Sequence, residues 1–211
     1  MKFPMLNIDG SKTNSIEVSD KLLKTKINYK LIKSVIDWQL NHAKPRTAKT
    51  KQRNQITGST KKIIAQKGSG GARHASKKAP IFVGGGIAHG PKGAVYKIKK
   101  MNKKVRKLAI AHSLSKKNLE KKLYFLADVK NEIKKTKEFN KFLLKNNLSN
   151  VLIISDDESL KNINRSARNI KNLKLLKDNG TNIYDLFKYK NIIITSSSLK
   201  KIQERILNEK D

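Results

Sequence analysis

The sequence contains no cysteine, one tryptophan and only four prolines in 211 residues. Without cysteine, disulfide bridges and metal sites built on thiolates are excluded. The four histidines, His42, His74, His89 and His112, form no ligand pair at helical spacing. We therefore predict neither a structural metal nor a cofactor.

Acidic residues are scarce, and one long stretch lacks them completely. The chain has 48 Lys and Arg against 16 Asp and Glu, a formal net charge of +32. Residues 38–119 contain 21 Lys and Arg but no Asp or Glu. So much like charge repels itself, and a polyanion such as RNA, DNA or an anionic membrane surface relieves that repulsion. A small acidic substrate does not require this excess.

Long apolar runs are also missing. No stretch approaches the roughly 18 residues that a membrane span needs. The start of the chain lacks the succession of charged, apolar and small residues that marks a signal peptide. We therefore expect a soluble, cytoplasmic protein with no membrane partner.

Outside the acid-free stretch, short apolar runs alternate with helical patterns. The runs predict strands at 123–127, 151–154, 173–176 and 192–195, and the patterns predict helices at 134–146, 158–169, 181–189 and 199–208. A helix at 29–41 is predicted with Asn28 as its cap, and a further helix is predicted after Asn102. The core-facing residues predicted for that helix are Val105, Leu108, Ala109, His112 and Leu114. The fold class is α/β, a mainly parallel sheet flanked by helices.

A long, basic, glycine-rich extended loop is predicted at residues 44–100, inserted in a globular domain formed by residues 1–43 and 101–211. Nine of the eleven glycines lie between Gly58 and Gly93. With few large apolar side chains, the segment cannot bury a core of its own. A segment of this length without regular structure is usually either functional or disordered.

Two glycine runs in the loop have competing interpretations. Residues 68–71 resemble a dinucleotide-binding turn, but the third glycine, a following helix and an acidic ribose partner are missing. The run is not a Walker loop either, because no Gly-Lys-Ser/Thr sequence closes it. A flexible basic linker and a bare backbone path that approaches RNA closely both remain compatible with the composition. RNA packed against bare backbone is also one explanation for the triplet at 84–86.

Arginine is rare, since lysine outnumbers it 41 to 7. We hypothesise that six arginines mark sites where a planar, stacking or bidentate donor cannot be replaced by a point charge. They are Arg46, Arg53, Arg73, Arg106, Arg165 and Arg168.

No catalytic constellation is evident. Asp156 and Asp157 follow a predicted strand, but their position favours capping and charging of the next helix. We predict that the chain is not an enzyme and has no small-molecule substrate.

The basic loop carries a series of motifs that point to one family. KGSGGARH at 67–74 is followed by PIF at 80–82, GGG at 84–86, AHGP at 88–91 and NKK at 102–104. Further matches are RTA at 46–48, TGS at 57–59, VLI at 151–153 and ARN at 167–169. Together they resemble the bacterial-type large-subunit ribosomal protein L-four family over nearly the whole chain. Two places depart from the family pattern: Ile64 and Ala65 stand where an aromatic residue often occurs, and Gly71 stands where arginine is common.

The resemblance implies a structural constituent of the large ribosomal subunit that binds large-subunit rRNA and supports subunit assembly. The implied partners are that rRNA, neighbouring large-subunit proteins and the nascent peptide near the constriction of the exit tunnel. The expected RNA-binding residues are Lys44, Arg46, Lys49, Lys51, Arg53, Lys61, Lys62, Lys67, Arg73, His74, Lys77, Lys78, His89, Lys92, Lys103, Lys104 and Arg106. The residues expected near the tunnel are Gln66, Lys67, Gly68, Ser69, Gly70, Gly71, Ala72 and Arg73.

Other functions remain open on the sequence. Excess free protein could repress its own messenger by binding an rRNA-like fold in it. A non-specific nucleoid or RNA-binding protein would show little preference among RNAs of equal length. A nucleotide-binding α/β enzyme with a basic lid would bind ATP or NAD saturably without RNA.

Overall fold

The computed structural model describes residues 1–8, 12–44, 47–93 and 99–207. Six strands occur there: β1 (Lys2–Leu6), β2 (Lys12–Glu17), β3 (Leu123–Leu126), β4 (Val151–Ser155), β5 (Leu173–Lys177) and β6 (Asn191–Thr195). The helices are α1 (Asp20–Leu23), α2 (Tyr29–Ala43), α3 (Lys103–Leu119), α4 (Thr136–Lys145), α5 (Asp157–Ala167), α6 (Ile183–Lys188) and α7 (Ser196–Leu207). No helix of this described part is long and apolar enough to cross a membrane.

The six strands form one sheet in the order β2-β1-β3-β6-β4-β5. β1 and β2 pair antiparallel, and every other neighbouring pair is parallel. The central strands β6 and β4 are aligned residue by residue, from Val151 opposite Asn191 to Ile154 opposite Ile194. The predicted α/β class with a mainly parallel sheet is confirmed.

Both faces of the sheet are covered by helices, because neighbouring side chains of a strand point to opposite faces. On one face, Leu152 and Ile154 of β4 pack in a cluster with residues of α1, α2, α3, α6 and α7. On the other face, Val151 and Ile153 pack with residues of α4 and α5, among them Phe139. All five residues of β4 are buried, which explains why its sequence is apolar without alternation.

The four predicted strands are confirmed, but the strands β1 and β2 were missed. β2 is largely polar and β1 contains Pro4, so neither segment has an alternating apolar pattern. The register of the β1–β2 pair shifts between Pro4 and Met5, and pairing of β1 with β3 begins only at Met5. The proline, which has no N–H, therefore lies where the ladder is already irregular.

The two predicted helix caps have different outcomes. The Asn28 side chain accepts a hydrogen bond from the Leu31 N–H (3.2 Å), which confirms this residue as the cap of α2. Asn102 occupies the N-cap position of α3, but its side chain makes no capping hydrogen bond.

The predicted core face of α3 was partly wrong. Ala109, His112 and Leu114 are buried as expected, but Leu108 is 43% exposed. Residues 109–115 are buried all round, because several other helices pack against this stretch as well as the sheet. A single helical stripe is therefore an incomplete description of α3.

The chain divides into two compact units: Met1–Leu40 together with Lys100–Asp211, and Asn41–Lys99. The second unit, here called the basic unit, contains a 3-10 turn at Arg53–Gln55 and, in its described part, no α-helix or strand of its own beyond the end of α2. Only Ser76, Ala79, Gly86 and Gly93 are buried among its described residues. The large apolar side chains of Ile81, Val83 and Ile87 are exposed.

Backbone hydrogen bonds join the two limbs of the basic unit. Lys49 and Lys92 form an antiparallel bridge, and the Thr50 N–H donates to the Pro91 carbonyl at 2.9 Å. Further along, the Ile87 N–H donates to the Lys51 carbonyl at 3.0 Å, and the Ile63 N–H donates to the Ala75 carbonyl at 2.8 Å. The backbone of this unit is therefore paired with itself without forming regular structure.

Two glycines of the 84–86 triplet are required by contacts inside the protein. A Cβ at Gly85 would lie 2.0 Å from the Ala79 carbonyl oxygen, and one at Gly86 would lie 2.3 Å from the Arg53 nitrogen. Internal packing therefore accounts for these residues, and close approach of RNA is not needed to explain them.

Candidate nucleic-acid interface

The basic unit presents its cations to solvent. Of the predicted RNA-binding residues in it, Lys44, Lys49, Lys51, Arg53, Lys61, Lys62, Lys67, Arg73, Lys77, His89 and Lys92 are exposed, and His74 and Lys78 are partly buried. Arg46 lies outside the described residues. His74 is held by its ring contact with Phe82, with ring centroids 5.1 Å apart. The exposed cations are thus available to an external partner.

The positive charges of this unit have no acidic residue of their own unit to pair with. Residues 41–99 contain no Asp or Glu. The bridge between the two limbs even places Lys49 directly opposite Lys92. Like charges at opposing positions are destabilising, so this arrangement favours an external polyanion that neutralises both limbs at once.

The tip of the basic unit lies between the paired residues Ile63 and Ala75. All eight residues predicted to lie near the tunnel, 66–73, are exposed. Gly68 and Gly70 have φ angles of +87° and +63°, which residues with a side chain rarely adopt. A Cβ at Gly68, Gly70 or Gly71 would meet nothing within 4 Å. The tip glycines are therefore not required by internal contacts, in contrast to Gly85 and Gly86.

Four lysines converge on one groove of the basic unit. The groove has a volume of about 590 Å³, and its lining includes Gly58, Ile63 and Val83. The converging residues are Lys61, Lys62, Lys77 and Lys78. The sequence predicted each lysine but could not show that two separate segments bring them together. Lysines gathered around one groove are suited to contacts with neighbouring phosphates.

A second basic site lies in the globular unit, at the start of α3. Lys103 and Lys104 occupy the first turn, which contains no acidic residue. Cations at this end of a helix are disfavoured by its dipole, and the first N–H groups of a helix attract anions. Both lysines are exposed, while Arg106 is partly buried. The first turn of α3 thus presents two exposed lysines outside the basic unit.

Arg106 is part of a cleft that the sequence did not indicate. Its guanidinium carbon lies 5.3 Å from the centre of the Trp38 ring, a cation–π contact. The cleft has a volume of about 430 Å³ and is also lined by Arg205 of α7. Burial lowers the pKa of the Arg205 guanidinium from its ordinary value, and the nearby Asp178 carboxylate opposes that effect. Trp38 and Arg205 come from different helices, so their proximity was not visible in the chain order.

The remaining two arginines of the hypothesis, Arg165 and Arg168, lie at the end of α5. Arg165 is 3.8 Å from Glu132, and both arginines are exposed. Nothing in their surroundings requires a planar donor.

Of the two acidic residues at the start of α5, only Asp157 makes a stabilising side-chain contact. Asp156 is the N-cap residue but makes no side-chain capping bond, whereas Asp157 lies in the first turn and forms an ion pair with Lys177 at 2.5 Å. That partner lowers the pKa of the Asp157 carboxyl. Within the described ranges, no three His, Asp or Glu side chains are grouped so that they could hold a metal ion.

These features define a class: a small, strongly basic α/β protein with an acid-free appended unit, suited to binding a polyanion. Comparison with known proteins makes this class specific. The model of the Ribosomal protein L4/L1 family matches residues 16–205. The chain therefore belongs to the ribosomal protein L4/L1 family, and both the family resemblance and the prediction that the chain is not an enzyme are confirmed.

Individual relatives are similar to this chain along nearly their whole length. The large ribosomal subunit protein uL4 of Pelagibacter ubique (strain HTCC1062) is 50% identical over 206 residues, which cover 97% of this chain and 99% of the relative. The uL4 protein of Hyphomonas neptunium is 36% identical over 97% of this chain and 96% of the relative. The uL4 protein of Thermotoga petrophila is 36% identical over 97% of this chain and 95% of the relative.

Proposed function

We propose that this protein is a structural constituent of the large ribosomal subunit and that residues 44–100 bind large-subunit rRNA. The observation that carries the proposal is the basic unit, in which exposed lysines line both limbs and no acidic residue balances them. Its lysines and arginines displace counterions from the RNA, and each neutralised phosphate adds to the affinity. The names of the relatives, all large-subunit proteins, support the same assignment.

We further propose that the tip, residues 66–73, reaches the nascent-peptide exit tunnel and that the loop supports subunit assembly. Small side chains and left-handed glycines let the tip backbone lie close to RNA without steric hindrance. Lys67 and Arg73 flank the glycines and are exposed, so they can contact phosphates on either side. Contacts with neighbouring large-subunit proteins belong to the same proposal.

The rRNA assignment is tested by competition at several salt concentrations. We expect the intact chain to prefer a large-subunit rRNA fragment over random RNA of equal length, and to retain that preference at high salt. The reason is that non-specific binding rests on counterion release alone and weakens steeply as salt rises. Equal affinity for all RNAs at every salt concentration would instead favour the non-specific RNA-binding alternative.

The tunnel assignment is tested by site-specific crosslinking. Because the chain has no cysteine, a Ser69→Cys variant carries a single reactive thiol for a photocrosslinker. In ribosomes that hold a stalled nascent chain, we expect this variant to crosslink to the nascent peptide or to rRNA of the tunnel wall. The control is Ser149→Cys, at an exposed position before β4. Crosslinking to the nascent chain from position 149 but not from position 69 would contradict the proposal.

A further inference from the structure

The cleft between α2, α3, α6 and α7 combines an aromatic ring, cations and an apolar floor. Its lining includes Trp38, Arg106 and Arg205, above the apolar side chains of Val35, Ile110 and Ile183. All of these residues belong to the globular unit. The volume of about 430 Å³ lies within the range of about 300–1,000 Å³ that is typical of small-ligand sites. None of the functions argued above uses this cleft as a pocket.

Both guanidinium groups in the cleft keep buried nitrogen atoms without a partner. The Nε atom of Arg106 and the Nη2 atom of Arg205 are inaccessible to solvent and make no hydrogen bond. The other terminal nitrogen of Arg205 donates to the carbonyls of Asp178 (3.2 Å) and Asn179 (3.0 Å), which fixes the orientation of its guanidinium group. Buried polar groups of a native protein normally have partners, so both guanidinium groups retain hydrogen-bonding capacity that the protein itself does not use.

The cation–π contact between Arg106 and Trp38 adds a second property to the site. Guanidinium planes and aromatic rings are the surfaces on which unpaired RNA bases stack. The partly buried indole is fixed against the core, so the platform is preformed. Lys103 lies at the rim of the same cleft and is exposed. The cleft therefore offers a flat surface for a base beside donors for a phosphate.

We propose that this cleft binds one unpaired RNA nucleotide, with its base against the Trp38 ring and the Arg106 guanidinium and its phosphate at Arg205 and Lys103. A phosphate alone would leave the apolar floor unused. A base within a duplex could not enter, because its faces are already stacked on its neighbours. The inference rests on the proposed RNA-binding function and deepens it, since it assigns a single-stranded nucleotide to the globular unit in addition to the phosphate contacts of the basic unit.

The experiment uses the fluorescence of Trp38, which is the only tryptophan in the chain. The full-length protein is titrated with oligouridine, with a blunt RNA duplex of equal phosphate count, and with uridine monophosphate, while total binding is followed by anisotropy of labelled RNA. We expect saturable quenching by oligouridine and little quenching by the duplex, although both RNAs bind. Free uridine monophosphate should bind far more weakly than the oligomer, because it lacks the flanking phosphates that contact the rest of the protein.

Two variants locate the effect. Arg106→Lys keeps the charge but removes the planar group, and we expect it to weaken the quenching by oligouridine about fivefold or more. Arg165→Lys on α5, in the helix layer on the other face of the sheet, is the matched control and should leave quenching unchanged. Thermal unfolding followed by circular dichroism shows whether either variant has lost its fold, and Trp38→Phe, assayed by anisotropy, provides an independent check of the stacking contribution.

Several results would overturn the proposal. Equal quenching by the duplex would show that the cleft senses only phosphate charge, and equal affinity for uridine monophosphate would assign the cleft to free nucleotides. RNA binding without any quenching would exclude the cleft while leaving the proposed ribosomal function intact. Failure of the intact chain to bind any RNA would instead overturn the proposed function itself.

Discussion

Replacement of residues 49–92 by a short glycine-serine linker is expected to reduce the affinity for large-subunit rRNA about 100-fold or more at moderate salt. The deletion removes ten cations: Lys49, Lys51, Arg53, Lys61, Lys62, Lys67, Arg73, Lys77, Lys78 and Lys92. Each phosphate contact contributes about 0.7–0.9 to the slope of log K against log salt, so loss of even half of them lowers the slope by about 3–5. Filter binding or anisotropy at several salt concentrations measures both quantities.

The structure makes this deletion feasible. Lys49 and Lys92 pair as antiparallel neighbours, so the two ends that remain are already close together. The clusters that cover the two faces of the sheet contain none of the residues that the structure describes between 41 and 99. We therefore expect the α/β domain of the shortened chain to keep its secondary structure, measured by far-ultraviolet circular dichroism, and to unfold cooperatively. A shortened chain that is folded and still binds rRNA with the original affinity and slope would contradict the proposed role of the loop.

Two variants with four substitutions each distinguish the effect of where positive charge lies from the effect of how much charge is removed. Lysine to glutamine at the groove residues Lys61, Lys62, Lys77 and Lys78 removes the same charge as the same change at the exposed lysines Lys33, Lys141, Lys161 and Lys171 of the globular unit. If the groove holds consecutive phosphates, the first variant loses more affinity and more salt slope than the second. Equal losses in the two variants would show that only net charge matters.

The parts of the fold that the sequence predicted well are those in which a local pattern is sufficient. β4 and β6 are buried on both faces, so an uninterrupted apolar run identifies them. The β1–β2 pair could not be predicted in the same way, because its pairing and its irregularity at Pro4 depend on contacts between segments that lack a clear pattern of their own. Leu108 was misplaced because burial of α3 depends on several neighbouring helices.

The candidate site likewise has parts that the sequence predicted and parts that it could not predict. Charge and glycine content are properties of composition, so the basic unit was visible in the sequence. The convergence of Trp38, Arg106 and Arg205 was not, because three helices distant along the chain have to meet. Likewise, the reason for Gly85 and Gly86 became evident only when the distances to Ala79 and Arg53 were known. Residue types indicate which chemistry is available, but tertiary contacts decide which groups act together.

Alanine at Gly86 is expected to disrupt the basic unit, whereas alanine at Gly71 in the same unit is expected to be tolerated. A Cβ at Gly86 would lie 2.3 Å from the nitrogen and 2.5 Å from the Cα of Arg53, so backbone atoms would have to move. The Gly86 N–H donates to the Lys78 carbonyl at 3.0 Å, and the next N–H, of Ile87, donates to the Lys51 carbonyl at 3.0 Å. Moving this backbone weakens both hydrogen bonds. Gly71 is a matched control, since its Cβ would meet nothing within 4 Å and its φ is not positive.

Overpacking of this kind costs about 1–3 kcal/mol, which corresponds to about 5- to 150-fold faster opening of the hydrogen bonds around the site. Amide hydrogen exchange of Gly86 and Ile87, measured in both variants by nuclear magnetic resonance, should show that difference. The affinity for rRNA should fall in parallel, because the Ile87–Lys51 hydrogen bond joins the two limbs, which present their cations as a pair only while they are held together. Equal exchange in the two variants would mean that the limbs are not joined in the free protein. Unequal exchange with equal rRNA affinity would mean that the RNA imposes its own conformation on the loop, whatever the free chain adopts.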